Sequence, residues 1–212
     1  MEEFDIAIIG GGPAGIMAAI AASADLNVVL LEKNSSLGSK LLITGGGRCN
    51  ITNEKPIKKL LNSFHDKNFL KHSFYTFTNE MLLDLFRNRG LDFIVEDNNR
   101  VFPETEKSQD ILAILKYYLK DITIKYNYEV SDINKEDNFI INNDIIAEKV
   151  IIATGGATFP KTGSTGDGYY LTGNPVTDIK YGLVPLITKK DLSDIAGTVS
   201  YTHLTLPTTS RV

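Results

Sequence analysis

A G-x-G-x-x-G string, Gly10-Gly11-Gly12-Pro13-Ala14-Gly15, stands between an apolar run at residues 4–9 and an alanine-rich run at residues 14–24. The first run is short and nearly continuously apolar, as a strand buried on both faces must be. The second carries Ile16, Met17 and Ile20 for packing and reads as a helix. Each glycine has its own steric reason in that setting. Gly10 permits the tight turn, Gly12 lets a pyrophosphate approach the backbone, and Gly15 lets the helix press on the strand. Pro13 suits a first helical turn, where its missing N–H costs nothing. The free amides and dipole of such a helix favour an anionic ligand. Residues 27–31 read as a second buried strand that closes a right-handed βαβ unit and ends at Glu32, with Lys33 beside it. A carboxylate at this place accepts hydrogen bonds from ribose hydroxyls and repels a 2′-phosphate, so the site is expected to prefer FAD or NAD over NADP.

Of 17 glycines, 13 fall at residues 10–15, 38–47 and 155–168, which marks three places where backbone turns sharply or meets a ligand. The second is Lys40-Leu41-Leu42-Ile43-Thr44-Gly45-Gly46-Gly47-Arg48-Cys49-Asn50, followed by Asn53. It is poor core material and a good backbone cradle. Arg48 has the reach to neutralise a phosphate or a reduced, anionic flavin, and Asn50 and Asn53 both donate and accept. The competing reading is a plain surface loop. The third is Ala153-Thr154-Gly155-Gly156 at the end of a buried strand, then Thr162 to Gly168, a glycine turn entering a short helix that Asp167 is expected to cap.

Between these lie helical stretches at residues 56–63, 67–75, 79–89 and 106–119, the last showing Ile111, Leu115 and Tyr118 on one face. Strand-like runs at 122–124, 129–133 and 139–141, separated by Asn and Asp, read as a small antiparallel meander; residues 149–153 read as another buried strand. The fold class expected is α/β, a Rossmann-like FAD/NAD(P)-binding fold with a parallel sheet plus that meander. Phe74, Tyr75 and Phe77 are expected to fill core. Arg100 is read as a loop anchor or an ion-pair partner.

With 22 basic against 26 acidic residues and a pI near 5.4, no nucleic-acid surface is expected. The lone Cys49 excludes an internal disulfide and a dithiol redox pair. Buried cysteines are commonly inert, so Cys49 and Arg48 are only weak candidates for catalysis. His65 and His72 lack the neighbours of a metal site, and no metal is expected. Glu2, Glu3 and Asp5 stand where a signal peptide needs positive charge, and no run is long enough to span a membrane. A cytoplasmic location is expected. Residues 200–212 continue no pattern and read as a non-native tail.

The glycine fingerprint, Leu41-Leu42-Ile43-Thr44-Gly45-Gly46-Gly47-Arg48-Cys49-Asn50, Arg100-Val101-Phe102-Pro103, Ala153-Thr154-Gly155-Gly156 and Thr162 to Gly168 occur in one order. Together they resemble the BaiN/YhiN-like bacterial flavoproteins, also called NAD(P)/FAD-dependent oxidoreductases or the aminoacetone oxidase family. The resemblance covers residues 1 to about 198. It implies an extended FAD, with its pyrophosphate on Gly12 to Gly15 and again by Gly155 and Gly156. The adenosine ribose would meet Glu32, adenine the backbone of Val130, and the ribityl and ring side residues 40–50. It implies an incomplete FAD domain over residues 1–190, and an inserted domain starting over 191–199, because members run to roughly twice this length. The function implied is FAD-dependent oxidation or reduction of a small molecule by hydride transfer, with NAD(P)H as a conceivable reductant. Reduction of an activated C=C bond and oxidation of an amine both fit. The alternatives are a flavin-dependent tRNA-modifying protein and a fragment without catalysis. The oligomeric state is not legible.

Overall fold

A computed structural model describes residues 1–179; the inserted-domain start at 191–199, the tail at 200–212 and the end of the 1–190 domain lie outside them. The chain runs β1 (Glu2–Ile9), α1 (Pro13–Ala22), β2 (Val28–Leu31), α2 (Ser39–Ile43), β3 (Thr52–Asn53), α3 (Ile57–Leu61), α4 (Lys67–Thr76), α5 (Asn79–Arg87), β4 (Phe93–Glu96), β5 (Arg100–Pro103), α6 (Ser108–Tyr118), β6 (Thr123–Lys125), β7 (Ile133–Lys135), β8 (Phe139–Ile141), β9 (Ile145–Ile152) and α7 (Asp167–Leu171). Among the described residues no helix is long and apolar enough to cross a membrane.

Six strands form one sheet in the order β6-β2-β1-β9-β8-β7. β1 is its axis, parallel to β2 on one side and to β9 on the other, with Ile9 beside both Leu31 and Ile152. That register ends three strands level, where the glycine turns begin. All four residues of β2 are buried, which explains why it reads as an unbroken apolar run.

The period-two alternation of β1 divides the core. Ile6 and Ile8 face α1 and α6 and pack in one cluster with Ile16, Ala19, Leu30, Leu112 and Leu115. Ala7 and Ile9 face the other way and pack with Val29, Leu31, Val130, Ile141, Ile145 and Ala147. Each fully buried aliphatic side chain here contributes about 1.5–3 kcal/mol.

The antiparallel meander is made of β7, β8 and β9. Residues 122–124 do not join it: β6 pairs in parallel with β2 at the opposite edge. Leu119 and Leu115 of the α6 end are buried against β1 and β2, so the chain leaving α6 emerges beside β2. The strand expected at 129–133 begins only at Ile133, because Ser131 and Asp132 donate backbone N–H groups to the Asn142 side chain instead of a ladder. A second sheet, β3-β5-β4, was not expected. Its hairpin turns at Asn98 and Asn99, both left-handed at φ 62° and 59°, a conformation asparagine tolerates.

Candidate functional site

The level ends of β1, β2 and β9 open into a cleft of about 440 Å3, within the range of small-molecule and cofactor sites. One wall is the turn from β1 to α1. Gly10 is left-handed at φ 106° and lies against Ala153, where a methyl group would meet the carbonyl oxygen at 2.6 Å. Gly15 lies on the back of the same turn, where a Cβ would stand 1.9 Å from the Gly10 oxygen. Gly12 differs: its backbone is extended, and added bulk there would meet no atom within 4 Å. It is also the N-cap of α1, with no side-chain cap and no acid in the first turn. The first-turn amides of a ten-residue helix are thus left for a ligand in the cleft, and the dipole favours an anionic one.

Glu32 is buried, with 6% of its surface exposed. One carboxylate oxygen accepts from the Gly11 N–H at 2.7 Å and the other from the Asn34 N–H at 2.7 Å. Each oxygen keeps a second lone pair. Glu32 therefore ties the glycine turn to the end of β2 while still able to accept from a ligand.

The far wall is the segment after β9. Lys33 reaches across to it, donating to Thr165 Oγ1 and Asp167 Oδ2 at 2.5 Å each. Asp167 does not cap α7, whose N-cap is Gly166. Burial acts to raise its carboxyl pKa, but hydrogen bonds from Lys33 and Thr165 outweigh it and hold the group below its usual range. Tyr128, hydrogen-bonded to Asp144, and Val130 complete the lining.

The structure brings Gly10, Gly12, Pro13, Ala14, Glu32, Lys33, Lys40, Val130, Ala153, Thr154, Gly155 and Asp167 to this cleft. Asn34, Gly38, Ser39 and Tyr128 also line it and were missed from sequence. Gly38 at least carried a signal, opening the second glycine cluster. Gly15 supports the turn from behind. Leu41, Thr44, Gly45, Gly46, Gly47, Arg48, Cys49, Asn50 and Gly156 do not line it.

The glycine string forms instead a tight coil after α2, with Gly45, Gly46 and Gly47 all left-handed. Leu41 is core, and the Thr44 hydroxyl donates to the Lys40 carbonyl at 3.0 Å. Arg48 turns to two carboxylates, Glu96 at 2.7 Å and Glu106 at 2.6 Å. Its guanidinium carbon lies 4.2 Å from the centre of the Phe102 ring. Hydrogen bonds to Glu96 and Glu106 hold it charged well above its already high range. Cys49 is left-handed and buried, and burial pushes its thiol up to about 11. In the folded chain at pH 8 about a thousandth of it is thiolate, against roughly a tenth for an ordinary thiol of pKa 9.0. Labelling by a disulfide reagent is expected to be ~100-fold slower in the native protein than in urea. Equal rates would show Cys49 to be accessible.

The family model described as "HI0933-like protein Rossmann domain" matches residues 4–188. The chain is 32% identical over 198 residues to the "3-dehydro-bile acid delta(4,6)-reductase" of Clostridium scindens, covering 87% of this chain and 48% of that protein. It is 31% identical over 203 residues to the "Ribosomal RNA dihydrouridine synthase" of Escherichia coli, covering 91% and 50%. The chain thus spans about half the length of the curated relatives it matches. Among solved structures, the open conformation of a flavocytochrome c3 fumarate reductase aligns with a TM-score of 0.56 at 20% identity, over 81% of this chain and 40% of that one. A 3-ketosteroid-delta4-(5alpha)-dehydrogenase from Rhodococcus jostii aligns at 0.51 and 15%, over 73% and 46%. At such identities the likeness is one of fold: a Rossmann-like dinucleotide-binding domain.

Proposed function

The chain belongs to the HI0933-like family, and from that premise we propose that it is the cofactor-binding part of an FAD-dependent reductase acting on a carbon–carbon double bond. The observation that carries the reading is the uncapped N-terminus of α1 beside a buried, still-accepting Glu32 in one cleft. Pyrophosphate would be held by the amides following Gly12, and ribose hydroxyls by Glu32. Lys40 adds a cation at the cleft wall, and the Val130 backbone would meet the adenine. When bound, FAD supplies a ring that accepts and donates hydride. The chain's own residues bind and orient it, and the apolar floor of Ile9, Leu31 and Ile152 excludes water.

Two relatives support the reaction class. The printed names, a delta(4,6)-reductase and a dihydrouridine synthase, both denote hydrogen added to a double bond. The first favours a small-molecule substrate. The second favours a uracil base in RNA as the other reading, and the two differ in substrate size and not in chemistry.

The test is absorbance of the purified 212-residue chain after incubation with FAD and desalting, with retained flavin bands expected. A colourless chain would overturn the assignment of this cleft. For the whole protein, oxidation of NADH or NADPH is expected to depend on an enone or on a uridine-containing ribosomal RNA transcript. Turnover with amines alone would reject the reductase reading.

A further inference from the structure

Positive charge in this acidic chain is concentrated. Residues 55–77 hold five lysines and one aspartate, which leaves 17 basic against 25 acidic residues elsewhere. This stretch is the α3–α4 hairpin, none of whose residues lines the cleft. Lys58, Lys59, Lys67 and Lys71 are exposed. Among the described residues the ion pairs engage Lys33, Arg48, Arg87, Arg100, Lys120 and Lys125, and none of those four. The one acid, Asp66, is occupied as the N-cap of α4, accepting from the Phe69 N–H.

Aromatic residues are interspersed with these cations along the sequence. Phe69 is 81% exposed; Tyr75 and Phe77, expected to fill core, are exposed too, as are Phe64, His65 and His72. On α4 the 100° step per residue puts Lys67, Lys71, Tyr75 and His72 on one arc. Leu70 and Phe74 turn inward, the latter edge-on to Phe64 at 5.4 Å. α4 has no buried residue.

We propose that the α3–α4 face is a binding surface for single-stranded RNA. Unpaired lysines meet phosphates, and the exposed rings offer faces on which bases stack without sequence preference. An anionic membrane would also attract the lysines. It would need a broad apolar face to insert, whereas the two exposed rings of α4, Phe69 and Tyr75, stand about 120° apart around the helix. The use of this contact, presenting a uracil to the cleft, rests on the RNA reading above. The contact itself does not require flavin and is measured without it.

The experiment is fluorescence anisotropy of a labelled 20-nucleotide single-stranded RNA with the 212-residue chain between 50 and 200 mM salt. Four phosphate contacts predict about fifty-fold weakening over that range, and Lys67→Ala/Lys71→Ala about sevenfold. Phe69→Ala/Tyr75→Ala is expected to weaken binding at least tenfold at fixed salt. Lys120→Ala/Lys149→Ala, on other surfaces, should change neither, and thermal melts verify that each variant folds. Equal salt dependence in the Lys67→Ala/Lys71→Ala variant, absence of binding at 50 mM salt, or capture by phosphatidylserine vesicles in preference to RNA would each overturn the proposal. A chain that binds RNA yet retains no FAD would leave this surface standing and remove the cofactor reading.

Discussion

Gly15→Ala is expected to cost at least about 3 kcal/mol of folding stability, a large share of what a domain of this size has. The new methyl would stand 1.9 Å from the Gly10 carbonyl oxygen and 3.1 Å from its carbon. Backbone atoms, not a flexible side-chain tip, would have to yield. Gly10 has no room to retreat, because it is packed on Ala153 and donates its N–H to Leu31 at 2.8 Å. Urea denaturation measures the loss. Gly12→Ala, three residues away, is the control. Its extended backbone suits alanine and no atom lies within 4 Å, so stability is expected within about 0.5 kcal/mol of the parent. Its methyl would occupy the ligand's approach, and FAD retention should fall sharply. One substitution breaks the fold and the other the site. If Gly15→Ala unfolds at the parent's urea concentration, the turn relaxes more easily than its contacts imply.

That contrast explains why the opening βαβ unit, residues 4–32, is so legible. Gly15 encodes a contact with Gly10, five residues back, Gly10 encodes the left-handed turn it makes itself, and the buried strand that ends at Glu32 encodes its own environment. All are local facts. Arg48 is the opposite case. The sequence shows a cation beside three glycines and suggests a phosphate partner, but its carboxylates are Glu96 and Glu106, 48 and 58 residues onward. No spacing rule joins them. β6 teaches the same lesson: three residues, Thr123 to Lys125, contain no information about which strand they pair with, and α6 decides it by where it releases the chain. The second sheet was legible in principle. Asp97-Asn98-Asn99 between Phe93-Ile94-Val95 and Val101-Phe102 is a hairpin signal. Tyr75 and Phe77 were misread because an aromatic residue is a safer core assignment when the tertiary neighbours are unknown.

Glu32→Gln is expected to lose about 3 kcal/mol, although it changes one oxygen to one nitrogen. Both carboxylate oxygens are acceptors, and both partners are backbone N–H groups that cannot reverse their polarity. A glutamine amide has a single oxygen. Whichever way it turns, its NH2 faces the N–H of Gly11 or of Asn34. One charge-assisted bond of about 1.5–3 kcal/mol is lost, and a buried donor is left unsatisfied at a further ~1–3 kcal/mol. Glu32→Leu removes both acceptors and should be worse, despite suiting the surrounding apolar residues better. The effect on the ligand should exceed the loss of one ribose contact, since Gly11 lies in the turn that sets the first amides of α1. A titration of FAD against Glu32→Gln, at a urea concentration where the variant remains folded, separates the two roles. Weakened binding with full folding means that Glu32 shapes or contacts the ligand site directly. Unchanged binding alongside the expected drop in stability would make it a strut of the turn alone, and ribose recognition would then fall to Asn34 and Lys33.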